Sequence, residues 1–275
     1  MFVPIVFYST ISRNYKILFY DIYSNKKKVL ENIFEISKSD FGIYSIKSEK
    51  RNTKVTIRVL YLLVSNKCNF ACKYCFMNKF NAQDKLMTKD VFDKAFCKYV
   101  KNNVYLDSVV FYGGEPLTNS ELIKYGIEKI REYNTKIKIT IVVNGSLIND
   151  ENAKFFAKYK VNISVSIDGL KEQHDKIRVK QNGLSSFDEV IKGYFLLKEW
   201  GVNPGISCTV SKYNVNDLEK ITEFFVKELK PSGIGFNLLN VDSQGNQDYF
   251  VDICLASDKL YSSYKILRKN NIFED

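Results

Sequence analysis

The chain has 275 residues, 41 Lys+Arg against 31 Asp+Glu, a formal net charge of +10 and 45% hydrophobic residues. That much apolar material builds a full core, which excludes a disordered or collagen-like chain, and six cysteines are too sparse for a disulfide miniprotein. Pro (4), Trp (1) and His (1) are scarce and the lysines scattered, the longest run being 26–28, so the charge reads as composition on solvated surface rather than as a nucleic-acid or anionic-membrane face.

Residues 1–8 read as a strand, since they are apolar but lack the basic start and small-residue cleavage site of a signal peptide. Residues 15–23 are β-rich, Ser24-Asn25 ahead of lysines signals a turn, 29–37 fits a short helix, 42–47 a further strand and 48–54 a polar linker. Residues 1–55 thus form a small β-rich appendage, too short for a large core of its own. From residue 56 strand-length apolar runs at 56–65, 108–112, 137–143, 161–167, 205–210 and 233–239 alternate with amphipathic runs at 89–102, 120–133, 150–158, 186–200, 215–228 and 249–269. Thr88, Asn119 and Asn149 stand where N-caps belong. Six β/α units in series predict an α/β fold, a parallel sheet closing part of a (β/α)6 barrel over 56–270. The longest uninterrupted apolar run, 59–64, is far short of the ~20 residues that span a membrane, and a reducing, cytoplasmic location is expected.

In barrels of parallel strands the chemistry sits at the C-terminal strand ends, and the motifs fall there. Cys68, Cys72 and Cys75 form a CxxxCxxC just past the first strand of the barrel. Structural zinc takes four ligands, yet no fourth is near, because the one histidine is His174 and Cys97 lies on a predicted helix. The same thiolates can hold a [4Fe–4S] cluster with one iron left open, since such clusters normally take four cysteines. An inert group of free cysteines is the remaining reading.

After the next strand comes Gly113-Gly114-Glu115-Pro116. It is either an ordinary turn or a place where backbone approaches a ligand and carbonyls and a carboxylate accept from an ammonium. Asn144 and Ser146 follow the third strand. Alternation sets Ser164, Ser166 and Asp168 on one face at the end of the fourth, either lining the barrel or leading into an Asp-Gly turn. Cys97 and Cys254 read as buried helix residues, and Cys208 as core or cavity lining on the fifth strand.

CxxxCxxC with Tyr74 before the third cysteine resembles the signature of the radical S-adenosylmethionine (SAM) superfamily. The wider string from Cys68-Asn69 to Cys75-Phe76 is similar to its peptide- and protein-modifying members, among them anaerobic sulfatase-maturating enzymes and thioether-forming maturases. The resemblance covers residues 56–270 and implies one [4Fe–4S] cluster on the three cysteines with SAM at its open iron. It places Tyr74 among the cofactor-binding residues and sets Gly113, Gly114 and Glu115 at the SAM amino group. Ser166 matches a serine on the SAM carboxylate. His174-Asp175-Lys176-Ile177-Arg178 resembles an HD-x-x-R element, so Arg178 would pair with the same carboxylate, and His174 reads as a loop anchor. Asn144 sits in a TNG-like element whose threonine is Val143 here, and Leu239 lies where backbone meets adenine.

The implied reaction is reductive cleavage of SAM to a 5′-deoxyadenosyl radical that takes hydrogen from a peptide or protein, as in thioether crosslinking. A flavodoxin or ferredoxin would supply the electrons. The alternatives are a sulfatase-type maturase oxidising Cys or Ser to formylglycine, and a non-catalytic protein that binds a cluster or peptide. These relatives carry a C-terminal SPASM or twitch extension with auxiliary clusters, so residues 271–275 read as a truncated connection to a missing extension.

Overall fold

A computed structural model of the chain describes residues 2–9, 14–21, 27–30, 57–75, 85–101, 103–239 and 247–272. The chain divides into two compact units, 1–55 and 56–275. The first contains an antiparallel sheet of β1 (Phe2–Ser9), β2 (Asn14–Asp21) and β3 (Lys27–Leu30), with β2 in the middle. Residues 29 and 30 lie in β3 and do not begin the helix expected over 29–37. The free edge of β2 takes them, pairing Leu18 with Val29 and Ile17 with Leu30. The rest of that expected helix, the turn at 24–25, the strand at 42–47 and the linker at 48–54 lie outside the described residues.

The second unit is a six-stranded parallel sheet in chain order: β4 (Val59–Ser65), β5 (Ser108–Gly113), β6 (Lys138–Val143), β7 (Asn162–Ser166), β8 (Gly205–Val210) and β9 (Ile234–Leu238). β4 and β9 do not pair, so the barrel is partial and open, the α/β fold that six β/α units predict. The crossovers carry α1 (Lys89–Ala95), α2 (Ser120–Tyr133), α3 (Asp150–Lys158), α5 (Phe187–Glu199) and α6 (Leu218–Phe224), with α7 (Ile253–Lys269) last. Both α1 and α6 widen into a π-helical turn, Phe96–Val100 and Phe225–Leu229. A short α4 (Lys171–Ile177) between β7 and α5 escaped the periodicity, because seven residues carry barely two turns of pattern.

Alternation along the strands divides the sheet. Leu62, Val64, Val109, Phe111, Ile139, Ile141, Ile163, Val165, Ile206 and Cys208 are buried in one core with Phe92, Ile123, Ile127, Phe156, Tyr194 and Phe225 of the helices. Each such side chain contributes roughly 1.5–3 kcal/mol by leaving water. On the other face Tyr61 and Leu63 are exposed, while Thr140, Ser164, Ser207 and Thr209 are half-buried. Cys208 is therefore core. Cys97 and Cys254, expected to be buried, are exposed, since their helices turn other residues to the core.

All three expected residues hold N-cap positions, and two of them cap with their side chains. Thr88 accepts from the Val91 N–H, and Asn149 with Asn152 forms a reciprocal capping box. Asn119 does hold the N-cap position of α2, but its side chain makes no capping bond there, and its amide donates to the carbonyls of Val64 (2.9 Å) and Met87 (3.0 Å). A 3-10 turn, Pro116–Asn119, already leads into α2, and that turn is capped by Glu115. Among the described residues no helix is long and apolar enough to cross a membrane. Asn149→Ala should cost about 1 kcal/mol and lower Tm by roughly 2–4 °C in a thermal melt, with the fold unchanged.

Candidate cluster and cofactor site

Each motif lies at the C-terminal end of a strand in one parallel sheet, so all open on the same edge. The cysteine loop leaves β4 and is stitched down by backbone. Gly114 N–H donates to Ser65 O and Glu115 N–H to Lys67 O, both at 2.8 Å. Only glycine permits this approach: a Cβ on Gly113 would lie 2.1 Å from Ser65 O, and one on Gly114 2.6 Å from Lys67 O. On its other side the loop pairs with the segment after α4, where Ala71 N–H donates to Val179 O (2.8 Å) and Lys73 N–H to Ile177 O (3.0 Å). Gln181 adds a side-chain bond to the Cys68 carbonyl at 2.5 Å. Nothing in the one-dimensional pattern marked residues 177–181 as the loop's partner.

The three cysteines are not in disulfides, Cys72 buried and Cys68 and Cys75 half-buried. Burial pushes Cys68 up to about 11, against an N–H from Phe70, and Cys72 up to about 12, against the Arg178 charge. Thiols in this state keep their protons at neutral pH, and a bound metal centre would have to displace them. Among the described residues no three His, Cys, Asp or Glu side chains are gathered closely enough to hold a single ion. Three thiols on one short loop are the kind of donor set that an iron–sulfur cluster takes.

Asn144 and Glu115 brace the loop. The Asn144 amide donates to Asn69 Oδ1 (2.8 Å) within the CxxxCxxC, and Ser146 Oγ closes the triangle, accepting from Asn69 Nδ2 and donating to Asn144 Oδ1, each at 2.8 Å. Glu115 is fully buried, and its oxygens accept from the backbone N–H groups of Leu117 (3.0 Å) and Asn144 (2.6 Å). Its carboxylate thus ties β5 to β6 instead of facing outward. Burial raises its pKa to about 7, held back by those two N–H donors.

Asp168 is the other fully buried carboxylate. Its Oδ2 accepts from the Tyr74 hydroxyl (2.5 Å) and Arg178 Nε (2.8 Å), and its Oδ1 from Thr209 N–H (2.8 Å). Burial holds the Tyr74 phenol well above its usual range. Burial opposes the Arg178 charge, but Asp168 more than reverses this and raises its pKa. His174 is buried, and burial with the Arg178 charge keeps it neutral. Its Nδ1 accepts from Asp168 N–H (3.3 Å), so the proton sits on Nε2, facing Ser186 Oγ (3.1 Å), which donates to Arg178 O (2.5 Å). Ser166 ends β7, 8% exposed, and Leu239 follows β9, its N–H reaching Val210 O.

The family model of the Radical SAM superfamily matches residues 62–225. The chain belongs to that superfamily. It is 28% identical to a cysteine-type anaerobic sulfatase-maturating enzyme of Clostridium novyi, over 63% of this chain and 49% of that one. It is 30% identical to the radical SAM cyclopropyl synthase TigE of Paramaledivibacter caminithermalis, over 71% of this chain and 44% of that one. The chain therefore spans about half the length of these curated relatives. Its fold is similar to that of native anSMEcpe with bound AdoMet and Cp18Cys peptide, with a TM-score of 0.70, 24% identity and coverage of 79% of this chain and 61% of that one.

Within this radical SAM domain the two buried carboxylates serve as braces, and Gln181 and Thr209 join the site without having been expected. Asn69 and Ser146 were in view as neighbours within the cysteine string and the Asn144 turn. The other two meet the site only through chain reversal. Because the folded state holds the Glu115 proton more tightly than the unfolded chain, its contribution is fully present below about pH 4.5 and lost as pH rises through about 7. Urea unfolding of the metal-free protein should show stability falling by up to about 3 kcal/mol across that window. Glu115→Ala should be less stable at acid pH and lack that slope.

Proposed function

We propose that residues 56–270 form the catalytic core of a radical SAM enzyme that modifies a peptide or protein, with crosslinking such as thioether formation as the outcome. The observation that carries this reading is the loop of Cys68, Cys72 and Cys75, pinned by two glycines at the C-terminal edge of an open parallel sheet. The sulfatase-maturating relative named above supports a protein substrate, and the peptide in the anSMEcpe structure supports a peptide one.

In this reading the three cysteines hold one [4Fe–4S] cluster with an open iron for SAM. Bound there, the pair supplies one-electron cleavage of the sulfonium and a radical able to take hydrogen. The chain's own residues bind and orient. The backbone of Gly113 and Gly114 receives the SAM amino group, with Glu115 holding that turn rigid from within. Ser166 and the terminal nitrogens of Arg178 receive the carboxylate, since Nε is committed to Asp168. Asn144 keeps the cysteine loop in place through Asn69, Tyr74 does so through Asp168, and Leu239 offers backbone to the adenine. A flavodoxin or ferredoxin delivers the electron. The reducing cytoplasm, which leaves clustered thiols free for iron, is the compartment.

Anaerobic reconstitution with iron, sulfide, SAM and dithionite tests the reading. The wild-type protein should absorb near 400 nm and release 5′-deoxyadenosine. Cys72→Ala should lose both, while Cys97→Ala, at an exposed position, should keep both. A loaded wild-type protein that yields no 5′-deoxyadenosine would exclude SAM cleavage by this chain.

A further inference from the structure

Asp168 gathers three elements: the cysteine loop through Tyr74, the end of α4 through Arg178, and β8 through the Thr209 N–H. With Nε committed, the guanidinium is fixed in rotation. Its Nη1 lies 3.9 Å from Cys72 Sγ, and its carbon stands 5.7 Å from the Tyr74 ring centre. The pair is secured from behind as well, since His174 holds the Asp168 backbone and, through Ser186, the Arg178 carbonyl. The guanidinium thus meets Asp168 through Nε and turns its Nη1 to the Cys72 sulfur, so a fixed positive charge stands beside that sulfur.

We propose that Asp168 is a positioning residue that holds the Arg178 guanidinium against the Cys72 sulfur and thereby raises the reduction potential of the cluster on this loop. The inference rests on the reading of Cys68, Cys72 and Cys75 as cluster ligands. Cluster potentials follow net charge and hydrogen bonds to the sulfurs, and a fixed cation favours the state with one more electron. Without Asp168 the guanidinium has no buried counter-charge. Its side chain, 11% exposed, then turns to solvent and leaves the sulfur.

The test compares wild type, Asp168→Asn, Arg178→Gln and the double variant. All are reconstituted with iron and sulfide and titrated in the absence of SAM, with the reduced cluster read by electron paramagnetic resonance. Each single variant should hold the same iron and sulfide yet need a more negative potential. The expected effect is about a tenfold lower ratio of reduced to oxidised cluster at a fixed potential, a shift of about 59 mV for one electron. The double variant should shift no further than the singles, because Asp168 acts through Arg178. An unchanged or raised midpoint in Asp168→Asn overturns the proposal, as do shifts that add in the double variant. Reduced loading with an unmoved midpoint marks a merely structural role and overturns it too. Should Asp168→Asn take up no cluster, Arg178→Gln decides: a lowered midpoint supports the proposal and an unshifted one refutes it. A wild-type protein that takes up no iron and sulfide fails earlier, and removes the cluster reading along with the inference built on it.

Discussion

A carboxylate taken wholly out of water must be met by donors or a counter-charge, or the fold loses several kcal/mol. Asp168 is such a group, and its requirement organises the edge of the sheet where the motifs lie. To satisfy it, the chain brings a phenol from the cysteine loop, a guanidinium from the end of α4 and an N–H from β8 to one point. Three segments far apart in sequence are thereby fixed relative to one another, and the side chain of Arg178 is aimed as a by-product of pairing.

Glu115 solves the same problem differently. Its two oxygens meet backbone N–H groups only, so it needs no cation and accepts a raised pKa in place of a salt bridge. The two motifs that look most chemical in the sequence, the Gly-Gly-Glu turn and the Ser-x-Asp-Gly strand end, therefore spend their carboxylates inside the protein. Gly113 and Gly114, by contrast, stay half-buried.

The sheet itself is lopsided. The helix-facing side is packed apolar residues, whereas the other side runs from exposed Tyr61 and Leu63 on β4 to half-buried hydroxyls on β7 and β8. Among the described residues the two edge strands, β4 and β9, do not pair with each other. A parallel sheet usually has both faces covered, and this face carries side chains suited to an apolar contact at one end and a polar one at the other.

Much of this was legible beforehand. Apolar runs spaced by amphipathic ones specified six strands and their helices to within a few residues, since burial against a common core imposes those periods directly. The thiol trio was legible because three cysteines in eight residues have few other uses. Cys97 and Cys254 were misread because a helix pattern fixes a period but not which neighbour covers each face. Asn119 was placed correctly at the start of α2, but its residue type did not tell that its amide would tie Val64 and Met87 instead of capping. The sequence by itself thus determined the parallel architecture and the cysteine trio at the end of its first strand, both written in local spacing. Only the tertiary structure decided that Asp168 pairs with Arg178 and Tyr74, that Glu115 turns inward, and that residues 177–181 line the cysteine loop. Those are contacts between segments tens of residues apart, chosen by the need to satisfy buried polar groups, and no local pattern encodes which partner will meet which.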